Sequence, residues 1–172
     1  MPSWKLHEKW ARKMGINQHI ARAINIFVDA GEIHDWERNK LHGYKMGALK
    51  AYQLYGEEGL RAYHLHQALD YIKERISGFS RQSIFGEISK NLAGIPRVKR
   101  KVLMKVMLKR AYRDMPKNKP FRLNQSVIDQ IRRDFIRWAV YRDLPEGIIN
   151  FVLYHFGEII RDILLEIKGS NI

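Results

Sequence analysis

Residues 144–168 read LPEGIINFVLYHFGEIIRDILLEIK, and this stretch decides the fold class. Its apolar side chains recur at steps of three and four residues from Ile148 to Ile167, which is the period of an α-helix and not the alternation of a strand. The apolar face is wide enough to be buried on more than one side. We therefore predict a largely buried helix around which the C-terminal part of the chain packs.

The other segments show the same helical period, and no segment alternates apolar and polar residues over the length of a strand. Glycine and proline separate them, with Gly15, Gly31 and Gly78 at predicted helix ends and Gly94-Ile95-Pro96 at a tight joint. The sequence predicts an all-α protein of about eight helices, a helical bundle in two closely packed halves. The predicted helices cover about residues 3–13, 17–30, 34–55, 57–77, 80–93, 97–114, 126–142 and 144–168. The last two begin at Ser126, in a capping-box pattern, and at Leu144-Pro145.

Charge is distributed unevenly along the 172 residues. The chain carries 31 Lys and Arg against 18 Asp and Glu, a net charge of +13, and residues 78–143 alone hold 17 basic and 5 acidic side chains. This change of composition places the predicted boundary at Gly78. It separates an N-terminal helical subdomain, 1–77, from a C-terminal basic helical subdomain, 78–172, with one continuous domain as the alternative. A surplus of positive charge of this size favours a polyanion as the partner, and nucleic acid is the leading candidate.

Several classes of protein are excluded by composition. The chain has no cysteine, which excludes disulfide scaffolds, thiol catalysis and cysteine-based zinc sites. No apolar run reaches the roughly 18 residues of a membrane-spanning helix, and the first five residues lack the apolar stretch of a signal peptide. We therefore expect a cytoplasmic protein, and the abundance of Ile, Lys and Arg fits a thermophilic source.

A cationic stripe runs along the predicted helix 97–114. Five cations recur there every four residues, which places them on one side of the helix, and no acidic residue interleaves them. Neighbouring cations and the following helix extend this surface. The predicted nucleic-acid-binding residues are Arg97, Lys99, Arg100, Lys101, Lys105, Lys109, Arg110, Arg113, Arg132, Arg133 and Arg137.

The cationic stripe has three interpretations. The first is contact with backbone phosphates, most simply those of duplex DNA. The second is a solvated surface, and the third is an acidic partner protein, which would make the chain a helical adaptor. Docking to a membrane is not expected, because the opposite side of the helix lacks the Trp or Phe that would enter a headgroup layer.

Residues 7–26 have the apolar spacing of two short helices joined at Gly15. In this they resemble helix-turn-helix DNA-binding proteins, and residues 84–104 show a weaker form of the same pattern with one residue too many before Gly94. The resemblance implies that the second helix reads bases with Asn17, Gln18 and Arg22, and that Asn25 also faces outward. Helix-turn-helix DNA-binding proteins often dimerise, so a homodimer is one of the oligomeric states that the sequence leaves open.

Histidine and aspartate cluster in the N-terminal part of the sequence. His34 and Asp35 are adjacent, and His66 and Asp70 lie one helical turn apart. Imidazole and carboxylate together suit Mn, Fe, Ni or Zn. With His7, residues 7–70 resemble the HD phosphohydrolase superfamily. The resemblance implies that His7, His34, Asp35 and Asp70 are metal ligands, with His66 as a replacement ligand.

This pattern leaves two classes of function open. A metal site would make the protein a metal-dependent phosphohydrolase or nuclease that holds its substrate with the basic half. Otherwise the histidines are ordinary side chains, the chain binds nucleic acid without chemistry, and no cofactor is expected. Among them, His155 is predicted to be a core residue. The sequence contains no Gly-rich phosphate-binding loop, no GxSxG and no HExxH pattern. The leading prediction is nucleic-acid binding.

Overall fold

The computed structural model describes residues 3–30, 41–91, 103–107 and 123–169, and these residues form α-helices and the turns that join them. The predicted all-α helical bundle is confirmed, and the described residues form seven helices, close to the predicted eight. They are α1 (Trp4–Lys13), α2 (Gln18–Ala30), α3 (Leu41–Asn91), α4 (described over 103–107), α5 (Gln125–Tyr141), α6 (Glu146–Tyr154) and α7 (Phe156–Gly169).

Helix α3 accounts for most of the difference in helix count. The predicted interruption before residue 57 is confirmed, since Tyr55 (φ −138°, ψ 15°) and Gly56 (φ 60°, ψ −152°) leave the helical region. The backbone of Gly56 is one that glycine alone adopts readily. The predicted stop at Gly78 is wrong, because α3 continues through it to Asn91. A glycine costs a helix only about 1 kcal/mol relative to alanine, which the packing of α3 overrides.

The turn between α1 and α2 lies where the sequence predicts it. Gly15 adopts a φ of 78°, and its N–H donates to the carbonyl of Arg12 at 3.0 Å, while the N–H of Ile16 donates to the carbonyl of Ala11 at 2.9 Å. This pair of bonds is a Schellman helix end, which requires a left-handed residue. Asn17 then caps α2 with its side chain. The predicted helix ends in this region are confirmed.

Two predictions about the C-terminal helices need correction. The cap of α5 is Asn124 and not Ser126, since the Asn124 side chain accepts the N–H of Val127 at 2.9 Å and so satisfies a free donor of the first turn. The predicted helix 144–168 is two helices, which meet at His155 (φ −96°, ψ 13°). Backbone hydrogen bonds continue on both sides of His155, so few of them are lost at the interruption.

The core is one apolar cluster to which both predicted halves contribute. The part of α3 that follows Gly56 contributes Leu65, Leu69, Ile72 and Ile76, all of them buried. The predicted burial of the last stretch is also confirmed, with Ile148, Val152, Phe156, Ile159 and Ile163 in the core.

Helices α1 and α2 pack on α3, which brings the N-terminal histidine of α1 against the middle of α3. Helix α1 is also tied to α7, since Lys9 pairs with Asp162 and Lys13 with Glu158, each at 2.6 Å. Within the described ranges, no helix combines the length and the apolar character needed to cross a membrane.

Candidate metal centre

Four side chains converge where α1, α2 and α3 meet. Helix α1 contributes His7, α2 contributes Asp29, and α3 contributes His66 and Asp70. His66 and Asp70 share a face of α3 because residues four apart are neighbours on a helix. His7 lies on the inner face of α1, in the same turn as the fully buried Trp10, so packing of the core directs its ring toward α3.

The shortest contacts centre on the Asp70 carboxylate. Its Oδ1 lies 3.4 Å from Nε2 of His7, and its Oδ2 lies 3.3 Å from Nε2 of His66. The two imidazole rings stack with their centroids 3.9 Å apart and their planes 10° apart. One possible ligand atom from each of the three residues lies within 4.8 Å of the other two. Metal–ligand distances of about 2.0–2.2 Å place ligand atoms some 3–4 Å apart, and the separations between Asp70 and the two histidines fall in this range. The stacked rings would have to turn for both nitrogen lone pairs to face one ion.

The cluster is buried, with His7 3% and His66 2% exposed. Burial, and next the neighbouring His66 ring, lowers the pKa of His7, which keeps its imidazole neutral at neutral pH. Burial alone would raise the pKa of Asp70, but the side chains of His66 and His7 outweigh it and hold that pKa well below its ordinary value. A neutral imidazole and an ionised carboxylate are the forms that bind a metal ion.

Three buried nitrogen atoms of the two histidines bear on whether the cluster fits an ion. Neither nitrogen of His7, nor Nε2 of His66, makes a hydrogen bond of good geometry to any residue in the described part of the chain. Buried polar atoms in folded proteins almost always have such a bond, and a bound ion or water is a common reason when they lack one. Together with the donor types, this satisfies the requirements of a divalent Mn, Fe, Ni or Zn site.

A second layer of side chains orients these groups. Nδ1 of His66 lies 2.8 Å from Oδ1 of Asn25, on α2. A metal-binding histidine usually donates its other ring N–H to an oxygen in this way, which fixes the tautomer and the ring. Asn25 is 2% exposed, so the expectation that it faces outward is wrong. It lies inside because α2 turns this face toward α3.

The five predicted metal ligands divide into two groups. His7, His66 and Asp70 come together as described, whereas His34 and Asp35 lie outside the described residues. Sequence reasoning missed Asn25 and Asp29. Their spacing of four residues on α2 matches that of His66 and Asp70 on α3, but the spacing alone does not show that α2 turns these two residues toward α3.

The predicted base-reading residues have partners inside the chain. The side chain of Asn17 accepts the N–H of His19 at 2.8 Å, and Oε1 of Gln18 accepts a bond of 3.4 Å from Arg12. Nε of Arg22 lies 4.0 Å from a carboxylate oxygen of Glu8. Asn17 and Arg22 are exposed, and Gln18 is half-buried.

The predicted nucleic-acid-binding surface is described only in part. Lys105 on α4, and Arg132, Arg133 and Arg137 on α5, are exposed. The α5 carboxylate of Asp134 pairs with Arg75 of α3. Within the described part of the chain, no ion pair involves Arg132, Arg133 or Arg137. The remaining predicted cations lie outside the described residues: Arg97, Lys99, Arg100, Lys101, Lys109, Arg110 and Arg113.

Two further histidines lie apart from the centre. His64 is buried against Tyr44, whose hydroxyl contacts its Nδ1. His155, predicted to be a core residue, is partly buried beside the ring of Trp10, with Nδ1 3.1 Å from Oε1 of Glu158.

Comparison of the chain with protein-family models, with curated proteins and with solved structures finds no match.

Proposed function

We propose that the protein is a metal-dependent phosphohydrolase whose divalent ion is held by His7, His66 and Asp70. The observation that carries this proposal is the convergence of two buried imidazoles and one carboxylate from positions 7, 66 and 70. Their pKa directions favour the ligand forms of His7 and Asp70. An ion pair with Asp70 would account for Nε2 of both rings, but it would leave Nδ1 of His7 without a hydrogen-bond partner among the described residues.

In this centre some side chains would bind the ion and others orient the ligands. The Asp70 carboxylate contacts both rings and, because it stays ionised, supplies negative charge at Oδ1 and Oδ2. Asn25 fixes the His66 ring through Nδ1. A divalent ion bound here would supply an activated water and neutralise charge on a phosphoester. Burial of both histidines limits water around the ligands, which strengthens electrostatic interactions in the centre.

Nucleic acid is the substrate class that the charge distribution favours. Residues 78–143 carry 17 basic and 5 acidic side chains, and among the described cations Lys105, Arg132, Arg133 and Arg137 face solvent. A phosphodiester backbone has the regular negative charge that such a surface neutralises. These exposed arginines also favour a second candidate function, binding of duplex DNA without chemistry.

Hydrolysis is tested with metal-stripped protein and two substrates, an activated phosphodiester and duplex DNA. Mn, Ni or Zn should restore activity, and chelator should remove it. Asp70→Asn should lose activity, because the amide cannot supply the charge of the carboxylate. The matched control is Asp162→Asn, which makes the same change at a carboxylate of equal exposure, 10%, paired with Lys9. A protein that hydrolyses neither substrate with any of these ions would refute the phosphohydrolase.

Nucleic-acid binding is tested by mobility shifts with duplex DNA, single-stranded DNA and duplex RNA at two salt concentrations. The triple variant Arg132→Glu, Arg133→Glu, Arg137→Glu should weaken binding. It should also flatten the slope of log affinity against log salt by about 0.9 for each phosphate that the variant no longer neutralises. The control is Lys5→Glu, Lys50→Glu, Arg161→Glu, which makes the same charge change at exposed sites on α1, α3 and α7. Equal binding by the two triple variants would exclude the α5 surface.

A further inference from the structure

We propose that Asp29 is a fourth ligand of the metal centre and that Trp4 is its positioning residue. This inference rests on the proposed centre at His7, His66 and Asp70 and extends it to α2. The resemblance that pointed to the centre assigns no role to either residue.

The two oxygens of Asp29 face different neighbours. Oδ2 accepts a hydrogen bond from Nε1–H of Trp4, and Oδ1 lies 3.8 Å from Nε2 of His66. A carboxylate held at one oxygen cannot rotate freely, so the indole turns the other oxygen toward the centre. The Asp29 side chain is 12% exposed, similar to the 10% of Asp70.

Asn25 and Asp29 act on the same imidazole from one turn of α2. Asn25 contacts Nδ1 of His66, whereas Asp29 faces its Nε2. When Nδ1 donates its proton to Asn25, the Nε2 lone pair points toward Asp29 and Asp70. An ion bound at that lone pair would lie beside both carboxylates and would be attracted to their charge.

The added carboxylate changes the ion that the centre prefers. With Asp29 the donor set is two imidazoles and two carboxylates, and carboxylate oxygens suit Mn more than they suit Zn. Loss of Asp29 should therefore weaken Mn binding more than Zn binding. A carboxylate that only pairs with His66 would give no such difference between the two ions.

The test is calorimetric titration of metal-stripped, full-length protein with Mn and, separately, with Zn. Asp29→Asn should weaken Mn binding roughly 100-fold and Zn binding less. Trp4→Phe, which keeps a ring but removes the N–H, should weaken Mn binding about 10-fold, within the range for outer residues of metal sites. Asp162→Asn is the matched control, since Asp162 has a similar exposure of 10% and pairs with Lys9 on α1, away from these residues.

The outcomes separate this inference from the proposed function. Wild-type protein that binds neither ion would overturn both. Wild-type binding with equal affinities for Asp29→Asn and Asp162→Asn would overturn the role of Asp29 alone and leave the three-residue centre standing. If Asp29→Asn fails to fold, Trp4→Phe decides. A weaker Mn affinity at an unchanged unfolding midpoint supports the inference, and an unchanged affinity overturns it.

Discussion

His64 and His66 lie two positions apart in α3 and face opposite sides of it, because two residues span about 200° of a helix. Both are buried, at 5% and 2% exposure. His66 meets the Asp70 carboxylate, Asp29, and the ring of His7, whereas His64 meets the hydroxyl of Tyr44. Both histidines are therefore buried. What makes His66 a candidate ligand and His64 a structural residue is the presence of carboxylates on the His66 side of α3.

The His64 side of α3 is an uncharged aromatic environment with one cation at its edge. Burial lowers the pKa of His64 to about 4 and raises the pKa of Tyr44 above its ordinary range. The hydroxyl of Tyr63 donates to the carbonyl of Tyr44 at 3.2 Å, and the guanidinium of Arg142 lies 5.0 Å from the centre of the Tyr44 ring. His64, Tyr44 and Tyr63 are uncharged and Arg142 is a cation, so this group of side chains offers a divalent ion no carboxylate ligand.

The largest expected effect is on metal binding by the two histidines. His66→Ala should weaken the binding of Mn more than 100-fold, because it removes a ligand whose outer partners alone are worth 10- to 100-fold. His64→Ala should leave the affinity of the folded protein within about 2-fold. Calorimetric titration of both variants measures this. Equal losses would show that the two sides of α3 do not differ in function.

The next largest effect is on the pH dependence of stability, through the titration of His64. Its pKa is about 4 in the folded protein against 6.5 for the ordinary side chain, so between these values the unfolded chain binds more protons. The free energy of unfolding therefore falls as the pH decreases from 6.5 toward 4. The loss due to His64 totals up to about 3 kcal/mol, and above pH 6.5 His64 causes no loss.

This pH dependence is measured by urea unfolding in chelator at several values between pH 7 and pH 4. His64→Gln keeps a polar group near Tyr44 but cannot titrate, so its stability should change less with pH than that of the wild type. His42→Gln, at an exposed site earlier in α3, is the control. Parallel curves for wild type and His64→Gln would refute the assignment.

Packing on the Tyr44 side provides a smaller test. A Cβ at Gly47 would overlap the ring of Tyr63, so Gly47→Ala should lower the free energy of unfolding by about 1–3 kcal/mol. Gly147→Ala is the matched control, since a Cβ there meets no atom within 4 Å. Metal affinity of folded Gly47→Ala should equal that of the wild type. A stability unchanged by Gly47→Ala would show that the aromatic side is loosely packed.

The smallest effect lies at the edge of the same side, where Asp143 ends α5. Asp143 has a φ of 55° and pairs with Lys45 at 2.8 Å, with both side chains more than half exposed. An exposed pair contributes about 0–1 kcal/mol, and glycine relieves up to about 1 kcal/mol at a left-handed position. Lys45→Ala should therefore cost little, and Asp143→Gly should be neutral or slightly stabilising in urea unfolding. A decrease in stability above about 1 kcal/mol would contradict this.

Much of the fold could be predicted because it depends on local patterns. The apolar period gave the helices and the inner face of α3, and the glycine at position 15 and the cap at Asn17 marked true helix ends. The continuation of α3 through Gly78 and the interruption at His155 could not be predicted, because packing between helices decides them.

The candidate site was predictable only where residue type was informative. His7, His66 and Asp70 have side chains that bind metals and were selected for that reason. Asn25 and Asp29 are ordinary polar residues on a helix, and their role depends on how α2 crosses α3, a relation that single-sequence spacing does not contain. Asn25 was assigned to the outer face for this reason, although it is buried.

The centre uses one turn from each of three helices, with Asn25 and Asp29 four apart, His66 and Asp70 four apart, and a single histidine on α1. So compact an arrangement is transferable. The same five side chains, grafted at equivalent positions of an unrelated three-helix scaffold, should confer binding of a divalent ion without the basic half of this protein.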